Sequence, residues 1–246
     1  MEAVLETFKE RLSEIEAYLD LLQALDRQVK SGTPRIGDTA ITPLQLKILY
    51  SSVYLQLYNL VEVTVNRCVE AVSTAAAESG RWLPRDLSSE LQREWLRVMA
   101  RSHVELGAEK RLEALVSFCD MFIKARPVLA WKVDSGGGGN WDELEIETIS
   151  KRLGCELNIS DEASRGVRRH FRDGKGALKL IKHFRNELAH GGMSFSDCGD
   201  NVNVETLKDL KDLTAKYLNE VLNAFRIFID EYRFLVPERR PAAGGE

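Results

Sequence analysis

A chain of 246 residues can bury a sizeable core, and 44% hydrophobic with 29% charged side chains excludes a fibre or a wholly disordered polymer. The net charge of −4, from 34 basic and 38 acidic side chains, argues against a general nucleic-acid binder. No basic-then-apolar leader opens the chain, and the most apolar stretch, Ile48 to Val65, carries Ser51, Ser52, Gln56, Asn59, Glu62 and Thr64 in a window that a membrane requires to be dry. The expectation is a cytoplasmic protein without a membrane span.

In chain order, Val4, Phe8, Leu12, Ile15, Leu19, Leu22 and Leu25 recur at spacings of three and four, the stripe of a long amphipathic helix. It stops at the turn-rich "SGTPRIGDTAITP". A second long helix is expected from near Thr42, with Pro43 at its first position, toward Ala77. Asp86 to about Lys124 reads as a third. Ser135 to Asn140, "SGGGGN", is a flexible break before "WDELEIETISKRLGCEL", a short helix with Gly154 near its end. Then come a basic segment, the helix in "LKLIKHFRNELAHGGMSF", and a last long helix beginning near Val204. The closing residues 237–246 have no apolar anchor and read as a disordered tail. With no alternating strand run and no repeat, the expected architecture is a single all-α domain over residues 1–236, carrying a small insertion at 126–160. Cys68, Cys119, Cys155 and Cys198 form no zinc pattern and are expected to be reduced, with Cys68 and Cys119 in the core.

Charge is unevenly spread. Arg165, Arg168, Arg169, Arg172, Lys175, Lys179, Lys182 and Arg185 face the single acid Asp173 within their own segment, a local patch that can attract a polyanion while the acidic remainder repels non-specific binding. The plain alternative is a solvated helix face. The helix that follows places Ala177, Leu180, Ile181, Phe184 and Leu188 on one arc and Lys179, Lys182, His183, Asn186 and His190 on the other, with Arg185 at the edge of the apolar arc. Asn186 and His190 stand four apart, so the amide is placed to steady the imidazole. A structural reading exists for each: histidine suits a last turn, Gly191 and Gly192 suit a left-handed cap, and arginine can lay its stem on a core edge. In the second helix Ser52, Gln56, Asn59 and Asn66 form a polar seam with Glu62 beside it. If that seam faces the motif helix, Glu62 is a candidate partner for Arg185.

"RNELAHG" resembles the R-x4-6-H signature of the HEPN superfamily, with the polar residue that commonly follows the arginine. "LYNLVEVTV", "GGNWDELEIETISKRLGCEL" and "RNELAHGGMSF" together resemble the successive landmarks of MAE-type HEPN-like nucleases from bacterial defence and toxin loci, over about residues 5–235. The resemblance implies a helical bundle, a homodimer in which two motifs converge, and metal-independent RNA cleavage with no cofactor. Carried onto this sequence, Arg185 and His190 match the catalytic pair and Asn186 the polar residue; Glu62 is placed by analogy. Arg165 to Lys182 would supply RNA contacts, and an antitoxin or defence-system protein would be a further partner. Toxins of the superfamily with a tyrosine two positions beyond the histidine can be silenced there by modification, whereas this chain has Gly192. The competing reading is a catalytically silent helical module for binding nucleic acid or a protein. A DNA-binding regulator finds no helix-turn-helix spacing to support it.

Overall fold

Thr42 starts the longest helix. Its hydroxyl accepts from the Gln45 N–H and the Gln45 side chain accepts from the Thr42 N–H, while Pro43 gives up no needed donor at the first helical position. The computed structural model describes residues 1–101, 107–133 and 140–241. The resulting helix, α2 (Pro43–Ala77), is preceded by α1 (Glu2–Ser31) and a two-residue hairpin, β1 (Arg35–Ile36) and β2 (Thr39–Ala40). After it come α3 (Ser89–Arg101), α4 (Ala108–Ile123), α5 (Glu143–Leu153), α6 (Asp161–Arg168), α7 (Ala177–Ala189), α8 (Phe195–Cys198) and α9 (Val204–Asp230). The fold is an all-α bundle, as the periodicity predicts.

α2 is apolar around most of its circumference and lies at the centre, packed by α1, α7, α8 and α9. The third helix differs from expectation: α3 and α4 are separate, with residues 102–106 between them outside the description. α4 turns Phe118 and Phe122 onto Trp95 of α3, which leaves Cys119 facing outward and corrects its assignment to the core. Cys68, Cys155 and Cys198 are buried thiols.

The stretch 126–160 reads as an insertion in sequence, yet Ile146, Ile149 and Leu153 of α5 join the same buried cluster as α2 and α9. α5 is locked at both ends, by Asp142 accepting from the Glu145 N–H at 3.1 Å and by Gly154 in the left-handed region at φ 79°. Residues 134–139, which hold all four glycines of the run, lie outside the described residues, as do 242–246 of the tail. The tail residues that are described are anchored: Arg239 Nε lies 2.9 Å from Asp86 Oδ1, and Arg240 Nε donates to the Leu235 carbonyl at 3.1 Å.

α7 is set in place by close backbone approach. A side chain at Gly176, its N-cap, would bring a Cβ to 2.4 Å from the Val167 carbonyl oxygen of α6. Its buried face is Ala177, Leu178, Leu180, Ile181, Phe184 and Leu188, and the Phe184 ring meets Tyr54 of α2 at 4.7 Å. Among the described residues no helix is long and apolar enough to cross a membrane.

Candidate active site

Helical geometry puts Arg185 at the margin of α7's buried face, directly over α2. Its guanidinium lies 4.1 Å above the centre of the Tyr58 ring, and its Nη2 is 3.6 Å from Glu62 Oε2. Tyr58 and Glu62 are four apart in α2 and so share a face, one giving an aromatic floor and the other a carboxylate. Nη1 donates to Asn186 Oδ1 at 2.7 Å. With its side chain 23% exposed, Arg185 keeps an outlet to solvent while three groups fix the plane of its fork.

His190 is the C-cap of α7, exposed, with its backbone N–H on the Asn186 carbonyl at 2.9 Å. Gly191 follows at φ 73°, a left-handed conformation that lets the chain leave the helix immediately beyond the imidazole. At Gly192 an added Cβ would meet Glu187 Oε2 at 2.4 Å, so the carboxylate of Glu187 occupies the space next to that position.

The expected steadying of His190 by the Asn186 side chain is not what the structure shows. Asn186 spends its carbonyl oxygen on Arg185 and its amide on Asn140 Oδ1 at 3.0 Å. A charged guanidinium on the preceding residue makes a strong, charge-assisted hydrogen bond to that oxygen. The polar seam of α2 likewise divides. Glu62 reaches Arg185, whereas Gln56 and Asn59 border a shallow cleft with Arg11 and Glu14 of α1.

Three consecutive residues that the sequence reading assigned no contact reach the motif or its surroundings. Asn140 holds Asn186, the Trp141 N–H donates to the Tyr58 hydroxyl at 3.2 Å, and Asp142 forms an ion pair with Lys182. Burial pushes the Tyr58 phenol above its ordinary pKa against the opposing Trp141 hydrogen bond, so the platform under Arg185 is neutral. Asp142 is both N-cap of α5 and partner of Lys182; an Asp followed three residues later by Glu145 ahead of an apolar run is the readable trace of that cap.

The basic segment does not form one open patch. Arg172 turns inward, donating to the Cys198 and Asp200 carbonyls at 3.0 and 3.3 Å and lying 5.1 Å over the Phe184 ring. Lys182 is committed to Asp142. Arg168 pairs with Glu147 at 3.3 Å and Arg169 with Asp209 at 3.0 Å, both exposed contacts that a phosphate can displace. Arg165 is exposed and bonded to the Asp161 carbonyl of its own helix. Lys175 and Lys179 carry no ion pair among the described residues.

Glu62 also forms one wall of a cleft of about 570 Å³ between α2 and residues 130–133, with Asn66, Glu70, Trp131 and Lys132 around it. Another cleft of about 580 Å³, between residues 88–90, 154–160 and α9, contains none of the motif residues.

The family model described as HEPN_MAE_28990/-like HEPN matches residues 1–234. The chain belongs to this HEPN family. No curated protein and no solved structure matches it. The matched span of this HEPN chain covers every element that frames Arg185, from α2 to α7.

Proposed function

We propose that this HEPN protein is an endoribonuclease in which Arg185 and His190 act on the scissile phosphate. The observation that supports it most is the frame around Arg185: an arginine held by Tyr58, Glu62 and Asn186 at the end of a helix that also presents an exposed His190. RNA cleavage without a resident metal ion needs a proton to leave the 2′-OH and another to reach the departing 5′-oxygen, and imidazole suits either step near neutral pH. As the 2′-oxygen bonds to phosphorus and the 5′-oxygen leaves with its electron pair, charge builds on the non-bridging oxygens. A planar guanidinium offers two parallel N–H donors to them. The products are a 2′,3′-cyclic phosphate and a 5′-hydroxyl.

Two copies with their motifs converging would bring the partner's His190 to the same phosphate, so that base and acid are both supplied. A homodimer is therefore part of the proposal, and specific activity should fall on dilution below the dimer dissociation constant. Full activity of a strictly monomeric species would remove the dimer from the account. Lys175, Lys179, Arg165, Arg168 and Arg169 would guide the strand. The setting is a bacterial toxin–antitoxin or anti-phage defence system, with an antitoxin or defence partner restraining the activity.

Arg185→Ala and His190→Ala should each abolish cleavage with helix content unchanged. A purified His190→Ala protein that cuts RNA as fast as wild type would overturn the assignment of the site, whereas a wild-type protein that cuts no RNA would make the chain a silent binding module with a retained motif.

A further inference from the structure

Arginine carries five donors and no acceptor, so only the carbonyl side of the Asn186 amide can face it. An amide flipped by 180° would set two donors against each other at the 2.7 Å separation of Arg185 Nη1 and Asn186 Oδ1. What selects the productive flip is an acceptor on the other side. Asn140 Oδ1 is that acceptor, 3.0 Å from Asn186 Nδ2 and 46 residues away in sequence. Trp141 and Asp142 hold the same segment down, through the Tyr58 hydroxyl beneath Arg185 and through Lys182 one turn earlier in α7.

We propose that Asn140 is a positioning residue for the nuclease reaction, acting through Asn186 to fix the plane of the Arg185 guanidinium; this rests on the endoribonuclease reading above. "NWD" is thus a part of the site and not the edge of a linker. Its three residues grip Asn186, Tyr58 and Lys182, so all three sequence landmarks meet at one arginine. Trp141 and Asp142 are buried, whereas Asn140 is exposed, so it can be changed without opening the core.

The test uses the full chain. Asn140→Ala should lower kcat by about 10-fold to 100-fold with KM within about twofold, because a misplaced catalytic group costs rate and not ground-state affinity. Asn140→Asp keeps an acceptor oxygen toward Asn186 and should restore most of the rate. In an Asn186→Ala background, Asn140→Ala should have no further effect, since the link is already broken. A readout without RNA accompanies these. Nitrogen-15 NMR of the Arg185 guanidinium should show slow rotation about Cζ–Nε in wild type, and fast rotation in Asn140→Ala and Asn186→Ala. Absence of RNA cleavage by wild type, with the NMR contrast intact, would overturn the nuclease reading and leave the amide link established. Unchanged guanidinium rotation in Asn140→Ala, an Asn140→Asp protein as slow as Asn140→Ala, or effects of the two alanine changes that multiply would each overturn the positioning role.

Discussion

Replacing Arg185 by lysine separates charge from shape. Lysine keeps the unit charge facing Glu62, 3.6 Å from the guanidinium in the native site, so electrostatic attraction for RNA should be largely retained. It loses the hydrogen bond to Asn186 Oδ1 and the flat contact with the Tyr58 ring. With the side chain only 23% exposed, a charge-assisted hydrogen bond and a partly buried cation–π contact together suggest a loss of about 2 kcal/mol in folding stability. The loss in catalysis should be larger. One of two aligned donors to the non-bridging oxygens disappears, and removal of such a donor costs about 2.7–4 kcal/mol, or roughly 10²–10³ in rate. Single-turnover cleavage at saturating RNA, urea unfolding and salt-titrated RNA binding give the three numbers. A lysine variant that cleaves within about threefold of wild type would show that the fork geometry is not used and that a point charge suffices.

Two other outcomes follow from particular side chains. Glu143 is buried, its Oε2 has no hydrogen-bond partner among the described residues, and burial raises its pKa above the ordinary 4.5. Between 4.5 and its raised folded-state value the folded state binds more protons than the unfolded state, so this group makes stability fall as pH rises through that window. Glu143→Gln should therefore gain stability relative to wild type near neutrality and little at pH 4; an equal gain at both values in urea melts would exclude the carboxylate as the cause. For the RNA path, Lys175→Glu with Lys179→Glu should flatten the salt dependence of binding by about 1.4 in log–log slope, at about 0.7 per lost contact. An unchanged slope would show that these lysines belong to a solvated face.

The helices were legible because α1, α7 and α9 each bury one recurring stripe, and Thr42 with Pro43 marked the start of α2 by its capping chemistry. Arg185 was legible too, since a charge at the edge of an apolar arc needs a partner and Glu62 stood on the facing helix. What local pattern does not carry is the far end of each contact. Spacing in α7 favoured His190 for the Asn186 amide, yet the partner is Asn140 in a segment the glycine run made look like a linker. Charge count placed Arg172 on the patch, although it caps carbonyls 26 and 28 residues away. Reading Asp86 to about Lys124 as one helix passed over the new start at Gly107, the N-cap of α4, and with it the outward face of Cys119.

The most direct test of the central claim is end-group analysis of RNA cut by the purified protein in EDTA, with a matched oligonucleotide bearing a single 2′-deoxy sugar at the cleavage position. Arg185 and His190 acting on a 2′-OH attack predict 2′,3′-cyclic phosphate and 5′-hydroxyl ends without added metal, and no cleavage at the deoxy position. Ends carrying 3′-hydroxyl and 5′-phosphate, or cleavage of the deoxy position at the normal rate, would contradict it.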